Sequence, residues 1–181
     1  MDLADHGTAP GLVRAALPAD AGAIAAVHVA TWRDAYAGLL PDEVLAGLDA
    51  GERAERWSRN IAAPAEGRFV LVFEQDGRVR GFVSGGPSRD QSPGGEVYAI
   101  YVDPACQGRG AGSRLLTAAA RHLARAHFTD ASLWVMAGNH PARRFYESQG
   151  WHSDGTEQPW THSGGDAVME VRYVKKLPVG G

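Results

Sequence analysis

Thiol chemistry and long apolar runs are both scarce in this sequence. Cys106 is its single cysteine, which excludes an internal disulfide and fits a reducing compartment. The most apolar stretch, Ala21–Ala30, is about half as long as a membrane-spanning helix. The first ten residues carry two aspartates and no apolar run, so we expect no signal peptide. We therefore expect a cytoplasmic protein without a membrane partner.

Excess positive charge is also absent. The net charge is -3 and the pI is near 6.1, which argues against a general nucleic-acid surface. The seven histidines form neither an H-E-x-x-H motif nor a Cys/His cluster. We therefore expect neither a nucleic-acid partner nor a metal site.

Length and composition indicate one globular domain. The chain has 181 residues, of which 44% are hydrophobic and 22% are charged, and a chain of this size can bury its own core. Neither an internal repeat nor an interdomain linker is visible. We predict a disordered tail over residues 1–10, a single domain over residues 11–177 and a flexible tail over residues 178–181.

The periodicity of the apolar residues predicts an α/β protein with a mixed sheet. A strand at Leu12–Ala16 is followed by two helices, the first with Asp20 as its N-cap and the second interrupted around Gly51. Two apolar runs joined by Asp76-Gly77 predict an antiparallel hairpin. A third strand, a helix starting at Ala111, a strand, a short helix and two final strands complete the predicted order.

Three glycines at alternate positions, Gly108, Gly110 and Gly112, stand at the start of the helix that follows the third strand. A helix start has unpaired N–H groups and a partial positive charge, and glycines let an anion approach them. The pattern fits a phosphate-binding loop, or only a tight turn with close helix packing. A P-loop would need a Gly-Lys-Ser/Thr ending, which is missing. In a dinucleotide-binding fold the ribose-binding acid would end a strand, whereas Asp130 precedes one.

The segment IYVDPACQGRGAGSRLL resembles the acyl-CoA-binding signature of the GNAT superfamily of N-acetyltransferases. There, a strand, a loop with Gln/Arg-x-x-Gly-x-Gly/Ala and a helix hold the CoA pyrophosphate; Gln107, Gly110 and Gly112 match these positions. A second family segment, Asn-x-x-Ala-x-x-Phe-Tyr-x-x-x-Gly-Phe, is similar to NHPARRFYESQGW, where Trp151 replaces the last aromatic. The resemblance implies a GNAT-like fold: a central, mostly antiparallel mixed sheet of about seven strands with about four helices.

The resemblance also implies acetyl-CoA as cosubstrate and suggests its contacts. Strand backbone groups left free by divergence of two strands would bind the pantetheine arm, and N–H groups of the glycine loop would bind the pyrophosphate. Arg109 could contact phosphate or be a solvated loop residue, and Asn139 could contact pantetheine as well as cap its helix. The implied cofactor-binding residues are Ile100, Tyr101, Val102, Gln107, Gly108, Arg109, Gly110, Ala111, Gly112, Ser113, Asn139, Arg143 and Tyr146.

Two residues are candidates for proton transfer. Tyr146 matches the family tyrosine near the CoA sulfur, where a phenol can protonate the leaving thiolate; an ordinary helix tyrosine is the alternative. Glu96 is the candidate base, because several family members carry a glutamate four residues before the first pantetheine-contacting position, here Ile100. Strand alternation would place Glu96, Tyr98 and Ile100 on one face. The alternative is a solvated strand-end glutamate, with waters and backbone carbonyls taking the proton.

The second predicted helix, residues 42–61, forms what we call the helical arm, and the acceptor would lie between this arm, the hairpin end and the last loop. Trp32 and Tyr36 are four residues apart on one predicted helical face, and Trp160 lies near the last loop. With Asp34 or Glu157, these aromatic side chains could hold a cationic amine. Packing of Trp32 as plain core under the arm is the alternative.

These residues predict an enzyme that transfers an acetyl group from acetyl-CoA to a primary amine of a small molecule or peptide, by direct attack in a ternary complex. Two other classes stay open, a non-catalytic acyl-CoA-binding or sensing module and a nucleotide-binding enzyme. Direct transfer needs no nucleophilic thiol and no partner histidine is identifiable, so we expect Cys106 to be inert. Dimerisation is common in the family, and a homodimer is a further expectation that no particular residue establishes.

Overall fold

A computed structural model describes residues 11–90, 93–161 and 167–178. The tail predicted over residues 1–10 lies outside the described residues, as do residues 179–181. The strands are β1 Leu12–Ala15, β2 Phe69–Gln75, β3 Arg78–Pro87, β4 Gly95–Val102, β5 Asp130–Met136, β6 His152–Trp160 and β7 Val168–Lys176. The α-helices are α1 Ala21–Ala35, α2 Asp42–Ala46, α3 Ala50–Ala62, α4 Ala111–Arg125 and α5 His140–Ser148. The predicted mixed α/β class is confirmed.

All these strands form one sheet in the order β1-β2-β3-β4-β5-β7-β6. Neighbouring strands are antiparallel except β4 and β5, as the resemblance implied. The predicted hairpin is confirmed between β2 and β3, where Asp76 and Gly77 have φ of 51° and 69°. Two positive φ angles are typical of the tight turn that suits the twist of a hairpin.

The parallel pair β4–β5 is short. It joins Gly95–Val97 to Ala131–Leu133, and from Tyr98 onward β4 is no longer paired with β5. The two strands therefore diverge toward the carboxyl end of β4. This divergence opens a cleft in the middle of the sheet.

Helices cover both faces of the sheet. On one face the apolar side of α4, with Leu115, Leu116 and Leu123, packs in one core with Tyr146 of α5. On the other face Ile24 and Val27 of α1 pack in a core with β2 and β3, joined by residues of α3. The cleft between β4 and β5 thus has α4 and α5 on one side and α1 and α3 on the other.

The helical arm is divided earlier than predicted. The break lies between α2 and α3, at residues 47–49, and Gly51 is in the first turn of α3. The reason is local, because Asp49 is an N-cap whose Oδ1 accepts a hydrogen bond from Glu52 N–H at 2.7 Å. Asp49 was therefore the stronger boundary signal.

The start of α1 also differs from the prediction. Asp20 does not cap α1 with its side chain. Its carboxylate accepts from Leu17 N–H at 2.7 Å, across the short 3₁₀ turn Pro18–Asp20, and pairs with Arg14 at 2.7 Å. Asp20 thus fixes the turn that leads from β1 into α1.

Candidate active site

The loop before α4 has the geometry of an anion-binding site. Gly108 and Gly110 have φ of 73° and 84°, which favours glycine, and a Cβ at either position would meet no atom within 4 Å. Within the described chain, no hydrogen bond satisfies the backbone N–H groups from Gly108 to Ser113. The N-terminus of α4 adds a partial positive charge at the same point. Open space, free donors and positive potential together fit a diphosphate.

Gly112 is needed for a different reason. A Cβ there would lie 3.2 Å from Phe145 Cζ, so the glycine allows α4 to approach α5 closely. Anion binding and close packing were alternatives for the three glycines in the sequence. The geometry supports anion binding at Gly108 and Gly110, and close packing accounts for Gly112.

Gln107 connects the loop to the end of β4. Its Nε2 donates to Val102 O at 3.2 Å, and Thr31 Oγ1 of α1 donates to the same oxygen at 3.1 Å. The side chain of Arg109 is exposed and makes no hydrogen bond or ion pair within the described residues. Gln107 therefore positions the loop, while Arg109 is available to a ligand.

The end of β4 presents backbone groups to the cleft. Asp103 N–H donates to Arg80 O at 2.8 Å, which makes these two residues a hydrogen-bonded pair. Because such pairs alternate along an antiparallel ladder, the backbone groups of Tyr101 point toward β3 and those of Ile100 and Val102 point toward the gap left by β5. Val102 O already accepts from Gln107 and Thr31, so an extended ligand arm could pair with the backbone groups of Ile100 and with Val102 N–H as a strand would.

Asn139 and Arg143 have partners inside the protein. Asn139 is 7% exposed and caps α5, its Oδ1 accepting from Ala142 N–H at 3.2 Å, so the N-cap interpretation is confirmed. Arg143 donates to Tyr173 Oη at 3.2 Å and to Ala137 O at 2.9 Å. These bonds hold α5 against the sheet, and contacts of either residue with a cofactor stay a prediction.

Tyr146 of α5 is 8% exposed, with its ring centroid 5.4 Å from that of Phe145 and 6.1 Å from that of Tyr173. Burial, with a smaller contribution from the phenol of Tyr101, raises the pKa of Tyr146 well above its ordinary value. The hydroxyl therefore carries its proton throughout the neutral range. This is the state that a general acid requires.

Glu96 is buried at the end of β4 nearest the β4–β5 pairing. It is 1% exposed, so the alternative of a solvated strand-end glutamate is wrong. Its Oε2 accepts from Arg89 N–H at 2.8 Å, and its Oε1 accepts from Arg89 Nε at 2.9 Å and from Arg89 Nη2. Glu96 is thus a fixed carboxylate whose charge is balanced by Arg89.

A β-bulge in β4 overturns the predicted alternation. Two successive residues of β3 pair with residues 99 and 97 of β4, which leaves Tyr98 as an extra residue. Val97 and Ile100 consequently both pack against the core beneath α4. The prediction that Glu96, Tyr98 and Ile100 share a face is wrong, because Glu96 and Tyr98 line a cavity on the opposite side.

Two adjoining cavities lie beneath the helical arm, with volumes of about 1070 Å³ and 350 Å³. Trp32 and Trp160 line both, and Tyr36 lines the smaller one. The ring of Trp32 meets those of Tyr36 and Trp160 edge to face, at centroid distances of 5.1 Å and 6.0 Å. Trp32 also packs against the core cluster of Leu40, Leu45 and Met136, so the core and cavity interpretations are compatible. The structure brings the three candidate aromatic residues together.

One acidic residue of this site, Glu170, was missed in the sequence. Neither Asp34 nor Glu157 lines the two cavities, and both are exposed. Glu170 of β7 lines the smaller cavity, where Gln158 Nε2 donates to its Oε2 at 3.2 Å. Burial raises the pKa of Glu170, and the negative charge of Glu96 contributes in the same direction. The sequence did carry a signal for Glu170. Side chains alternate along a strand, so a residue next to the buried Val171 lies on the face opposite α4.

Three further features of the described part of the chain complete the description. No group of three or more metal-ligating side chains occurs there. None of the described helices is long and apolar enough to cross a membrane. Cys106 is buried in the short turn between β4 and α4.

Comparison with known proteins agrees with this geometry. A model of the acetyltransferase (GNAT) family matches residues 29–151. The chain is 38% identical over 139 residues to the uncharacterized N-acetyltransferase YuaI of Bacillus subtilis, covering 75% of this chain and 77% of YuaI. It is 40% identical over 114 residues to a mycothiol acetyltransferase of Kocuria rhizophila, covering 59% of this chain and 37% of that protein.

The fold is similar to the crystal structure of PaiA N-acetyltransferase from Thermoplasma acidophilum in complex with coenzyme A. The TM-score is 0.72 and the identity is 20%, over 89% of this chain and 98% of that one. A mixed sheet that opens between two parallel strands beside a donor-rich loop defines an acyltransferase class of site, and the protein is an enzyme of that class. The chain belongs to the GNAT acetyltransferase family.

Proposed function

We propose that this enzyme transfers the acetyl group of acetyl-CoA to a primary amine of a small molecule or peptide, in a ternary complex. One observation supports the proposal: the free N–H groups of the glycine loop and the open end of β4 border one cleft, and the protonated Tyr146 belongs to the core that packs against Ile100 and Val102 of that strand. Each would bind a different part of one elongated cosubstrate.

The chain's residues fit acetyl-CoA, which would supply the activated acyl group as a thioester. The N–H groups of Gly108–Ser113 would bind the diphosphate, with Arg109 as an exposed positive charge beside them. The backbone groups of Ile100 and the N–H of Val102 would hold the pantetheine arm in the gap beside β4. An N–H group in this gap would also polarise the acyl carbonyl.

Proton transfer falls to groups on opposite sides of the cleft. The amine nitrogen forms a bond to the acyl carbon as the carbon–sulfur bond breaks, and Tyr146 Oη gives its proton to the leaving sulfur. The amine must lose a proton, and we assign this step to Glu170, whose raised pKa brings its basicity closer to the neutral range. Glu96, held by Arg89, would stabilise the positive charge of the bound amine.

The test is Tyr146→Phe, which removes the acid but keeps the ring. We expect kcat for thiol release to fall by about 10² or more, while the affinity for CoA is retained. Tyr173→Phe is the matched control, because it also removes one buried phenolic hydroxyl, yet that hydroxyl binds Glu147 and Arg143. Normal turnover by Tyr146→Phe on a substrate amine would exclude the acid role.

The acceptor can be found by measuring thiol release from acetyl-CoA across aminoglycosides, polyamines, amino acids and peptides. Acetylation of a primary amine supports the proposal. Tight CoA binding with no acetylation of any amine would favour the acyl-CoA-sensing alternative. The cytoplasmic location and the homodimer expected from the sequence stay predictions.

A further inference from the structure

The larger cavity has an excess of positive charge. Its lining includes four arginines, Arg53, Arg56, Arg68 and Arg89, and one carboxylate, Glu43. The charge of Arg89 is balanced by the buried Glu96. Among the described residues, Arg53, Arg56 and Arg68 form no ion pair with a carboxylate. The positive charges of these three arginines are therefore left for a ligand to balance.

Arg53 is held in place by neutral groups. Its guanidinium lies over the ring of Trp32, 5.2 Å from the centroid, and its Nη1 lies 3.3 Å from His28 Nε2. His28 is 8% exposed, and burial, with the charges of Arg53 and Arg56, lowers its pKa to about 3. His28 is thus uncharged at neutral pH. It orients the Arg53 guanidinium without balancing its charge.

Hydrogen-bond donors are also in excess around Arg53. Trp57 Nε1 lies 3.4 Å from His28 Nδ1, so the imidazole has a donor at each ring nitrogen. A neutral imidazole accepts at only one nitrogen, so one of the two donors keeps a free hydrogen. Trp32 Nε1 is buried and has no hydrogen-bond partner among the described residues. The region needs a molecule that brings acceptor oxygens.

The smaller cavity presents a carboxylate instead. Its lining includes Asp90, Glu96 and Glu170 and one arginine, Arg89. Asp90 pairs with Arg172 and Glu96 with Arg89, so Glu170 is the carboxylate of this cavity that no ion pair among the described residues balances. The two cavities meet at aromatic side chains that line both, among them Trp32. A molecule that spans them would therefore meet a negative end near β7, an aromatic middle and a positive end beneath α3.

We propose that the acceptor amine also carries an anionic oxygen group, a carboxylate or a phosphate, and that Arg53 and Arg56 bind this group. The amine end then lies toward Glu170, where acetyl transfer takes place; the assignment rests on the proposed N-acetyltransferase function. Planar guanidinium groups bind carboxylates and phosphates through two parallel hydrogen bonds. Arg68 lies over the ring of Tyr98, 5.4 Å from its centroid, and adds positive charge at the rim.

The experiment compares pairs of amines that differ only in the anionic group: tyrosine with tyramine, and O-phosphoethanolamine with ethanolamine. We expect kcat/KM for acetyl transfer to be at least about tenfold higher for the anionic member of one pair. The pair that shows this preference identifies the bound group as a carboxylate or as a phosphate. Arg53→Met and Arg56→Met should abolish this preference mainly through KM, and Arg53→Lys should restore part of it. Arg59→Met is the matched control, since Arg59 lies on α3 outside the cavities.

A second readout does not depend on turnover. In the presence of CoA, the anionic member of the preferred pair should raise the melting temperature more than its uncharged partner, and Arg53→Met should remove the difference. A preference in melting temperature without acetylation of any amine would support the anion site and contradict the proposed transferase function. Equal responses to both members of both pairs, or a preference that survives in Arg53→Met and Arg56→Met, would overturn the anion site.

Discussion

At the scale of single residues, the extra residue in β4 decides which side chains reach the acceptor. Regular alternation would place Ile100 on the same face of the sheet as Glu96. The bulge at Tyr98 shifts the alternation by one residue, so Ile100 packs against the core beneath α4. One strand thereby supplies a carboxylate to one face and, past the bulge, apolar side chains to the other. The motif located this strand, but it carried no information about the bulge.

Glu170→Gln tests the assignment of the base. We expect kcat/KM to fall by about 10² or more, because the amide cannot accept the amine proton. In the wild type the rate should fall as pH drops through the raised pKa of Glu170, since protonation removes the base, and the variant should lack this limb. The measurement is the pH profile of acetyl transfer.

Glu157→Gln is the control, because this exposed carboxylate of the neighbouring strand lies outside both cavities. Wild-type kcat/KM in Glu170→Gln, together with a large loss in Glu96→Gln, would transfer the base role to Glu96.

His28 makes stability depend on pH. Its pKa in the folded protein is about 3, below the ordinary value near 6.5, so the unfolded chain binds a proton first as the pH falls. The stabilising contribution is complete above about pH 6.5 and declines toward pH 3, by up to about 1.4 kcal/mol per pH unit. Urea unfolding between pH 7 and pH 4.5 measures this decline.

His28→Gln should remove that slope, whereas replacement of the exposed His140 by Gln should leave it. An unchanged slope in His28→Gln would show that other groups cause the acid sensitivity.

At the scale of elements, Arg33 links α1 to the end of α2 through two hydrogen bonds. Arg33 of α1 donates to Leu45 O and to Leu48 O, both at 3.2 Å. These carbonyls lie at and just beyond the C-terminal end of α2, where C=O groups have no N–H partner within the helix. The short helix α2 is therefore fixed to α1 at its last turn.

Arg33→Met keeps most of the side-chain volume but removes both donors. We expect faster amide hydrogen exchange over residues 42–48, with little change in the sheet. Arg59→Met is the control, because Arg59 forms only an exposed contact with Glu55 at 3.9 Å, a kind of pair that contributes little. Unchanged exchange in Arg33→Met would mean that apolar packing alone holds α2.

Local elements were predictable because their signals are local. The Asp76-Gly77 turn, the glycine loop and the cap at Asn139 each act within a few residues, and each lies where the sequence placed it. Arg53 and Glu170 were not found, because their roles depend on which strands and helices face each other. Contacts between residues far apart in the sequence leave no local pattern. Arg53 contacts His28 across 25 residues of sequence, and neither residue belongs to a motif.

At the scale of the whole molecule, ligand binding should be visible as thermal stability. Free CoA at 100 times its Kd should add about 2.7 kcal/mol, which for a chain of this size raises the melting temperature by about 5–10 °C. NAD and ATP at the same concentration should give much smaller shifts. Differential scanning fluorimetry provides the measurement.

Gly110→Ala should lose most of the CoA shift, because φ of 84° costs an L-residue about 1–2 kcal/mol and the new Cβ enters the loop. Gly22→Ala is the control, since Gly22 lies in α1 with no atom within 4 Å of the added Cβ. An equal shift with NAD would support the nucleotide-binding alternative instead.

The short pairing between β4 and β5 has a consequence for the ligand-free protein. Past Val97 the sheet has an internal edge, where the backbone groups of Ile100 and the N–H of Val102 lack a strand partner, while Val102 O is held by Gln107 and Thr31. Exposed strand edges recruit other strands, and proteins commonly protect them with charge, proline or a covering element. Here the cover would be the cosubstrate itself. Occupancy of the gap would then decide whether this edge is open to another strand.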